Sequence, residues 1–440
     1  MDSNSYRIIK EIQKNKDNIK RMIEERKYDD AILALEQYEK VMPEDIDIYS
    51  MRAVIMIMNK RLDIAEVEVL KGLERRPNDF DLLFNLGYIN EVKGQSNKAY
   101  TNYLKAGTLA NNLDQSNDIS SALVRLNEKI LRTQKERLVF FVKPGMDSFL
   151  DSVINELKQD FHTRKIIVTS DKQIEEGLKW CDVAWFEWCD DLITYGSNHP
   201  IANKKKIICR LHSYEAFTDY IHQVNWTNIY KVIFVAEHIR KYVLSQQKLL
   251  KIESTIVIPN GVDIDFHTFK ERRTGFRIAY VGYINYKKGP MILLHSFKAI
   301  HDFDNRYKLY IAGKFQDPRY VLYFNQMIEE FGLQGSVIYE GWQENVEVWL
   351  EDKNYILSTS LLESQSMSLM EAMIKGIKPL IHNFVGAREI YPSSYIWNTF
   401  DDLVQIVKSQ SYNSFEYRNY IVNNFNLKHR ILQIKCLLLT

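Results

Sequence analysis

Two carboxylates eight positions apart carry the most chemistry in this chain. Glu363 and Glu371 bracket the run Ser364-Gln365-Ser366-Met367-Ser368-Leu369-Met370, which follows a strand-like segment, Asn354–Ser358. With a helix starting at Met367, Glu363 sits in the loop before it and Glu371 one turn inside. The small Ser364, Ser366 and Ser368 then leave the backbone N–H groups around Ser366, Met367 and Ser368 accessible at the positive helix end. That arrangement suits an anionic phosphate, while carboxylates beside it accept protons from sugar hydroxyls. An isolated Glu pair is ordinarily a solvated helix face. Its position between a strand and the Gly376-Ile377-Lys378-Pro379 entry to the next one sets this pair apart. Met367, Leu369, Met370 and Met373 have the spacing of core packing.

A second group lies earlier. Arg210-Leu211-His212-Ser213-Tyr214-Glu215 closes the apolar run Ile207–Leu211, so His212 stands where a strand-end side chain enters a cleft. Val183-Ala184-Trp185-Phe186-Glu187-Trp188-Cys189-Asp190-Asp191 is likewise a strand running into acids. Trp188 can stack on a sugar ring and Glu187, Asp190 or Asp191 can bind hydroxyls, whereas Trp185 has the setting of a packing residue.

These segments, in this order, resemble the retaining GT-B glycosyltransferases of the family 4 type, whose donor-binding half carries a Glu-x7-Glu motif. Pro259-Asn260-Gly261-Val262-Asp263 is similar to that family's linker, Val281-Gly282 to the start of its phosphate loop, and Lys287-Lys288-Gly289 to the loop's end. Tyr310-Ile311-Ala312-Gly313, Gly341-Trp342 and Val385-Gly386-Ala387-Arg388-Glu389 also match its signposts. The resemblance is strong over Ile258–Glu389 and weak back to Leu138. It implies that Lys288, with Lys287 beside it, contacts the donor diphosphate near Gly282. It further implies that Glu371 binds the ribose hydroxyls, that Glu363 faces the sugar and that His212 approaches it. The Pro144-Gly145 turn would take the place of the first glycine loop, putting Gly145 near the donor. One position departs: Tyr283 stands where the family has Arg, which removes an expected cation. The implied reaction retains anomeric configuration by front-face attack. The leaving diphosphate acts as base, and neither a metal nor a cofactor beyond the nucleotide-sugar co-substrate is required.

Alternating elements must position these residues. Short apolar runs at Leu138–Val142, Ile166–Thr169, Val183–Glu187, Ile207–Leu211, Val232–Ala236 and Thr255–Ile258 read as strands with helices between them, Phe149–Leu157 being the first helix. After the charged connector Lys270-Glu271-Arg272-Arg273 the series restarts at Arg277–Val281, Lys308–Ala312, Ser336–Tyr339, Asn354–Ser358 and Lys378–Ile381. Two parallel, Rossmann-like sheets follow, with ligands expected at the carboxyl ends of the strands and in the cleft between them.

The N-terminal third has a different texture. Ala31, Ala65 and Ala99 recur every 34 residues, as do Pro43 and Pro77, with Leu35, Val69 and Tyr103 four positions after the alanines. Thirty-four is the period of the tetratricopeptide repeat, and Asn85-Leu86-Gly87-Tyr88 resembles its first helix. Ser3–Lys27 and Asp118–Thr133 are the expected caps. The expected architecture is therefore α plus α/β: a repeat-like array (1–135), an acceptor-side Rossmann-like domain (136–262) and a donor-side one with C-terminal helices (263–440).

Composition narrows the function class. The 58 basic and 57 acidic residues give a net charge of +1, without the excess that drives nucleic-acid binding. Cys181, Cys189, Cys209 and Cys436 lack metal-ligand spacing and read as reduced and buried. The polar N-terminus and the lack of a long apolar run point to a cytoplasmic protein with no transmembrane segment, leaving peripheral membrane contact open. The expectation is a nucleotide-sugar-dependent glycosyltransferase whose array implies a protein or peptide acceptor, with polysaccharide and lipid-linked acceptors as alternatives. Two competing readings are a non-catalytic interaction or chaperone subunit, favoured by Tyr283, and a nucleotide-sugar epimerase.

Overall fold

The computed structural model describes residues 3–127, 135–147, 150–409 and 411–440, with side chains from residue 11 onward. Phe149 and residues 128–133 of the expected helices lie outside the described residues. The chain divides into two compact units, Met1–Thr133 with Leu432–Thr440, and Gln134–Ile431. Among the described residues no helix is long and apolar enough to cross a membrane.

The first unit contains seven consecutive helices: α1 (Ser3–Glu24), α2 (Tyr28–Val41), α3 (Asp47–Met58), α4 (Leu62–Arg75), α5 (Phe80–Val92), α6 (Ser96–Leu109) and α7 (Leu113–Asn127). The 34-residue step reaches down to the backbone. Ala31, Ala65 and Ala99 are fully buried, one on each even helix, and a small side chain there lets neighbouring helices approach. Arg26, Lys60 and Gly94 all take the left-handed conformation, at φ 61°, 59° and 75°. The next N–H in each case bonds back five residues: Lys27 to Met22, Arg61 to Met56 and Gln95 to Asn90, at 2.9, 2.8 and 2.9 Å. α1, α3 and α5 thus end in the same turn, which satisfies carbonyls that would otherwise lack a partner.

The last residues of the chain differ from the sequence reading, which leaves Leu432–Thr440 at the end of the donor-side domain. They pack in the helical unit. Leu432, Cys436 and Leu439 join a cluster with Tyr103, Ile119 and Leu123, and a side chain at Gly107 would meet the Cys436 sulfur at 2.4 Å. Gln433 donates to the carbonyl of Ala110, the residue closing α6, at 2.6 Å. The cause is apolar area: the last helix pair has a face that these residues remove from water.

The second unit holds two six-stranded parallel sheets. The first comprises β1 (Arg137–Val142), β2 (His162–Ile167), β3 (Val183–Phe186), β4 (Lys206–Leu211), β5 (Lys231–Phe234) and β6 (Thr255–Val257), in the order β2-β1-β3-β4-β5-β6. The other comprises β7 (Arg277–Val281), β8 (Lys308–Ala312), β9 (Val337–Gly341), β10 (Tyr355–Ser358), β11 (Lys378–His382) and β12 (Ile396–Trp397), in the order β12-β11-β10-β7-β8-β9. Helices on both faces bury the central strands completely, which explains their unbroken apolar runs. The boundary errors fall at edges. β2 starts four residues before the expected Ile166, because its exposed positions are polar and conceal the strand. The two-residue β12 has no sequence signal. Arg272, read as part of a charged connector, is buried and donates to the carbonyls of Glu351, Lys353 and Lys375, tying the connector to the second sheet.

Candidate functional site

The carboxyl ends of β7 and β10 build the donor-side cluster. Gly282 follows β7 at φ 143°, and a side chain on the facing Gly313 would lie 2.0 Å from the Gly282 carbonyl, so two backbones meet there without side chains. The loop then makes a short 3-10 turn, Tyr286–Lys288, held by the Asn285 side chain, and Gly289 at φ 61° starts the helix Pro290–Phe303. Lys287 and Lys288 project from that turn onto Glu363. Lys288 Nζ lies 2.6 Å from one carboxylate oxygen and Lys287 Nζ 3.0 Å from the other. Ser360 Oγ donates to Glu363 Oε1 at 3.0 Å, and His238 Nε2–H, reaching over from the first sheet's side, donates to the Glu363 carbonyl at 2.8 Å. Burial alone would raise the Glu363 pKa, but the two ammonium groups outweigh it and hold the carboxyl below its usual range.

The helix Met367–Ile374 begins beside this cluster, with Ser366 as N-cap. Its first amides have no acceptor within the helix. Ser366 and Ser368 line a small pocket of about 10 Å³ with Lys288 and Ser360, room for about one water. Met367 and Glu371 open instead onto a larger cavity of about 340 Å³, lined also by Phe266, His267, Asn345 and Glu347. Burial pushes the Glu371 pKa up, the opposite direction from Glu363. Its neighbour Glu347 is held at about 2 despite burial, by hydrogen bonds from the fully buried Lys375 and from His267. Leu369, Met370 and Met373 are core residues, as their spacing indicates.

The first sheet supplies a second buried carboxylate. Glu187, just past β3, accepts from Trp185 Nε1 at 2.8 Å, from His212 Nε2–H at 3.1 Å and from Arg210 at 3.4 Å. Trp185 thus combines packing with a hydrogen bond that fixes Glu187. Trp188 packs against His212 and Tyr214, its ring tilted to both at centroid distances of 4.1 and 5.5 Å, and donates its indole N–H to the Met146 carbonyl. Gly145, at φ 75° in the turn after β1, has open space where a side chain would stand, so backbone conformation alone calls for glycine there. Asp190 caps the helix Asp191–Asn198 and pairs with Lys143.

Contacts join the two sides. Lys287 Nζ, besides holding Glu363, lies 3.5 Å from Ser213 Oγ, next to His212. Arg210 donates to Asn260 Oδ1 at 2.6 Å. The Gln365 side chain meets the backbone of Asn260 twice, accepting from its N–H at 2.7 Å and donating to its carbonyl at 2.9 Å. Sequence reasoning assigned no role to Arg210, Asn260, Gln365 or His238. The first three lie inside noted segments, but Arg210 pairs with side chains distant in sequence and Gln365 with the Asn260 backbone, and neither bond leaves a residue-type signature. His238 carries no signal beyond being a histidine. Tyr283 is exposed and packs its ring against Trp342, tilted, at a centroid distance of 5.1 Å.

Residues 263–395 match the family described as "Glycosyl transferases group 1". A search of the curated proteins finds no match. Among solved structures, HepE of Anabaena in complex with UDP and glucose is similar at TM-score 0.58 and 14% identity, over 69% of this chain and all of that one. Sucrose-phosphate synthase of Thermosynechococcus elongatus is similar at 0.55 and 13%, over 69% of this chain and 98% of the other. A TarM variant of S. aureus in complex with Fondaparinux, alpha-GlcNAc-glycerol and UDP is similar at 0.50 and 20%, over 59% of this chain. That match spans about half of TarM, 55% of its length. Residues 263–395, which contain β7–β11 and the Glu363 cluster, thus match the glycosyltransferase group 1 family and lie within a GT-B fold.

Proposed function

We propose that the chain is a retaining glycosyltransferase that moves a sugar from a nucleotide-sugar donor to a protein or peptide acceptor. The observation that carries this reading is the buried, ionised Glu363 held by Lys287 and Lys288 at the start of the helix Met367–Ile374, facing the His212 side of the first sheet. Both ammonium groups keep partial access to solvent. An incoming diphosphate draws them away from Glu363 and is stabilised by them as it leaves. Glu363, released, accepts a hydroxyl of the transferred sugar. Glu371, at the cavity wall, accepts the ribose hydroxyls. The acceptor oxygen attacks on the face that the diphosphate leaves, and passes its proton to the departing phosphate oxygen. HepE and TarM were captured with UDP, which makes UDP-sugars the first donors to test. The 34-residue array, with its three equivalent turns, supports a tetratricopeptide-type surface for the polypeptide acceptor.

Tyr283 favours a second reading, a non-catalytic subunit, because a phenol that packs against Trp342 stands where the resembling family has an arginine. A thermal-shift screen of UDP-, GDP- and ADP-sugars separates them first. A donor at 100 times its dissociation constant stabilises the fold by about 2.7 kcal/mol. If no nucleotide sugar raises the unfolding temperature, the enzyme reading falls.

A further inference from the structure

The polar contacts across the cleft form a closed circuit. From His212 it runs to Glu187, then to Arg210 and to Asn260 Oδ1, at 3.1, 3.4 and 2.6 Å. The Asn260 backbone is clasped by Gln365, two residues from Glu363, and Glu363 returns through Lys287 to Ser213, the neighbour of His212. His212, Glu187, Arg210, Glu363 and Gln365 are all buried, so the bonds among them are shielded from water, while Lys287 stays partly exposed.

The circuit has two unlike halves. The lysine half must open when a diphosphate takes the ammonium groups, if the proposed function holds. The Gln365 half contains nothing a donor would displace: a neutral amide on a backbone, and a guanidinium on an amide oxygen. It therefore remains to hold the donor loop against the first sheet when the lysines let go. Gln365 suits this task because a carboxamide has one acceptor and one donor end, and Asn260 offers the complementary N–H and carbonyl in one peptide plane on each side. Its Nε2 also lies 2.9 Å from Met370 Sδ, which fixes the side chain from the helix below.

We propose that Gln365 is a positioning residue for sugar transfer, setting the register between Glu363 and His212 through Asn260, Arg210 and Glu187. It touches neither donor nor acceptor. This rests on the proposed function, since the lysine half is read there as the part that opens.

The test uses the full chain, with Gln365→Met as the near-isosteric variant and Gln365→Glu as the one that keeps only the bond from the Asn260 N–H. Amide exchange at Asn260 and the unfolding temperature establish that the variants fold and that the clasp is lost. Donor turnover and transfer are then measured for wild type, Gln365→Met, His212→Asn and the double variant. The expected result is a fall in kcat of about tenfold to a hundredfold in Gln365→Met, with donor KM within about threefold, the scale of a misplaced reacting group. The double variant should be no slower than the slower single, because both changes break one circuit. An unchanged kcat in a folded Gln365→Met overturns the proposal, and so do multiplicative effects in the double variant, which mark independent roles. A wild type that turns over no nucleotide sugar contradicts the proposed function instead. The clasp is then judged by exchange alone: Asn260 protection equal in wild type and Gln365→Met removes it.

Discussion

Each of the two sheets buries a carboxylate between two nitrogen-bearing side chains, yet the two constructions behave as opposites. Glu187 is fully buried, and its partners Arg210 and His212 expose only 5% and 9% of their side chains. Trp185 and Asn260 fix that group further. Glu363 is also buried, but its partners Lys287 and Lys288 expose 28% and 21% and sit on a glycine-bounded turn. A guanidinium locked by several bonds is a brace. Ammonium groups on flexible stems, partly in water, are cations that can be handed to another anion. Residue type alone does not separate a brace from a binding group; the freedom of the partners does.

The sharpest way to break this comparison is to remove the brace. Glu187→Ala leaves Arg210 buried without its carboxylate and should cost about 3–5 kcal/mol of stability, the usual penalty for breaking a buried pair. Chemical denaturation checks it, and a loss below about 1 kcal/mol would put Glu187 with the exchangeable groups. On the other side, Glu371→Gln separates function from stability. The folded pKa of Glu371 is raised, so its ionisation opposes folding once pH exceeds the unfolded value near 4.5. Glu371→Gln should stabilise the free protein at pH 7 and weaken nucleotide binding by about 5- to 100-fold through loss of charged hydrogen bonds. Glu363 carries the reverse sign. Its folded pKa is depressed, so its contribution is present above pH 4.5 and vanishes as pH falls through the folded value. Glu363→Gln should therefore destabilise the protein at pH 7 and flatten this acid limb. Unfolding curves from pH 3 to 7 that moved the same way for both variants would erase the distinction between them.

The smallest effect concerns the array, where legibility in the sequence was greatest. The alanine step of 34 residues marked the repeated helices, because close helix approach demands small residues at fixed intervals. The three turns at Arg26, Lys60 and Gly94 were not legible, since only Gly94 carries the residue that the conformation favours. Lys60→Gly should stabilise the array by up to about 1 kcal/mol by relieving the left-handed strain. A destabilised variant would mean that the lysine side chain contributes more than its backbone costs. In the α/β unit, buried strands announced themselves as apolar runs, while the half-exposed β2 and the two-residue β12 did not. At the site, Glu363, Glu371 and the lysines were visible as types at a spacing. The clasp of Gln365 on Asn260 was not, because its partner is backbone and lies 105 residues away.

Lys287 and Lys288, held by Glu363 in the free protein, form the proposed diphosphate site. Calorimetric titration of UDP into wild type and into the Lys287→Ala/Lys288→Ala double variant tests it most directly. Wild type should bind UDP, and the folded double variant should lose about a hundredfold or more in affinity, each charged hydrogen bond contributing about 1.5–3 kcal/mol. Equal affinity of the two proteins for UDP would contradict it.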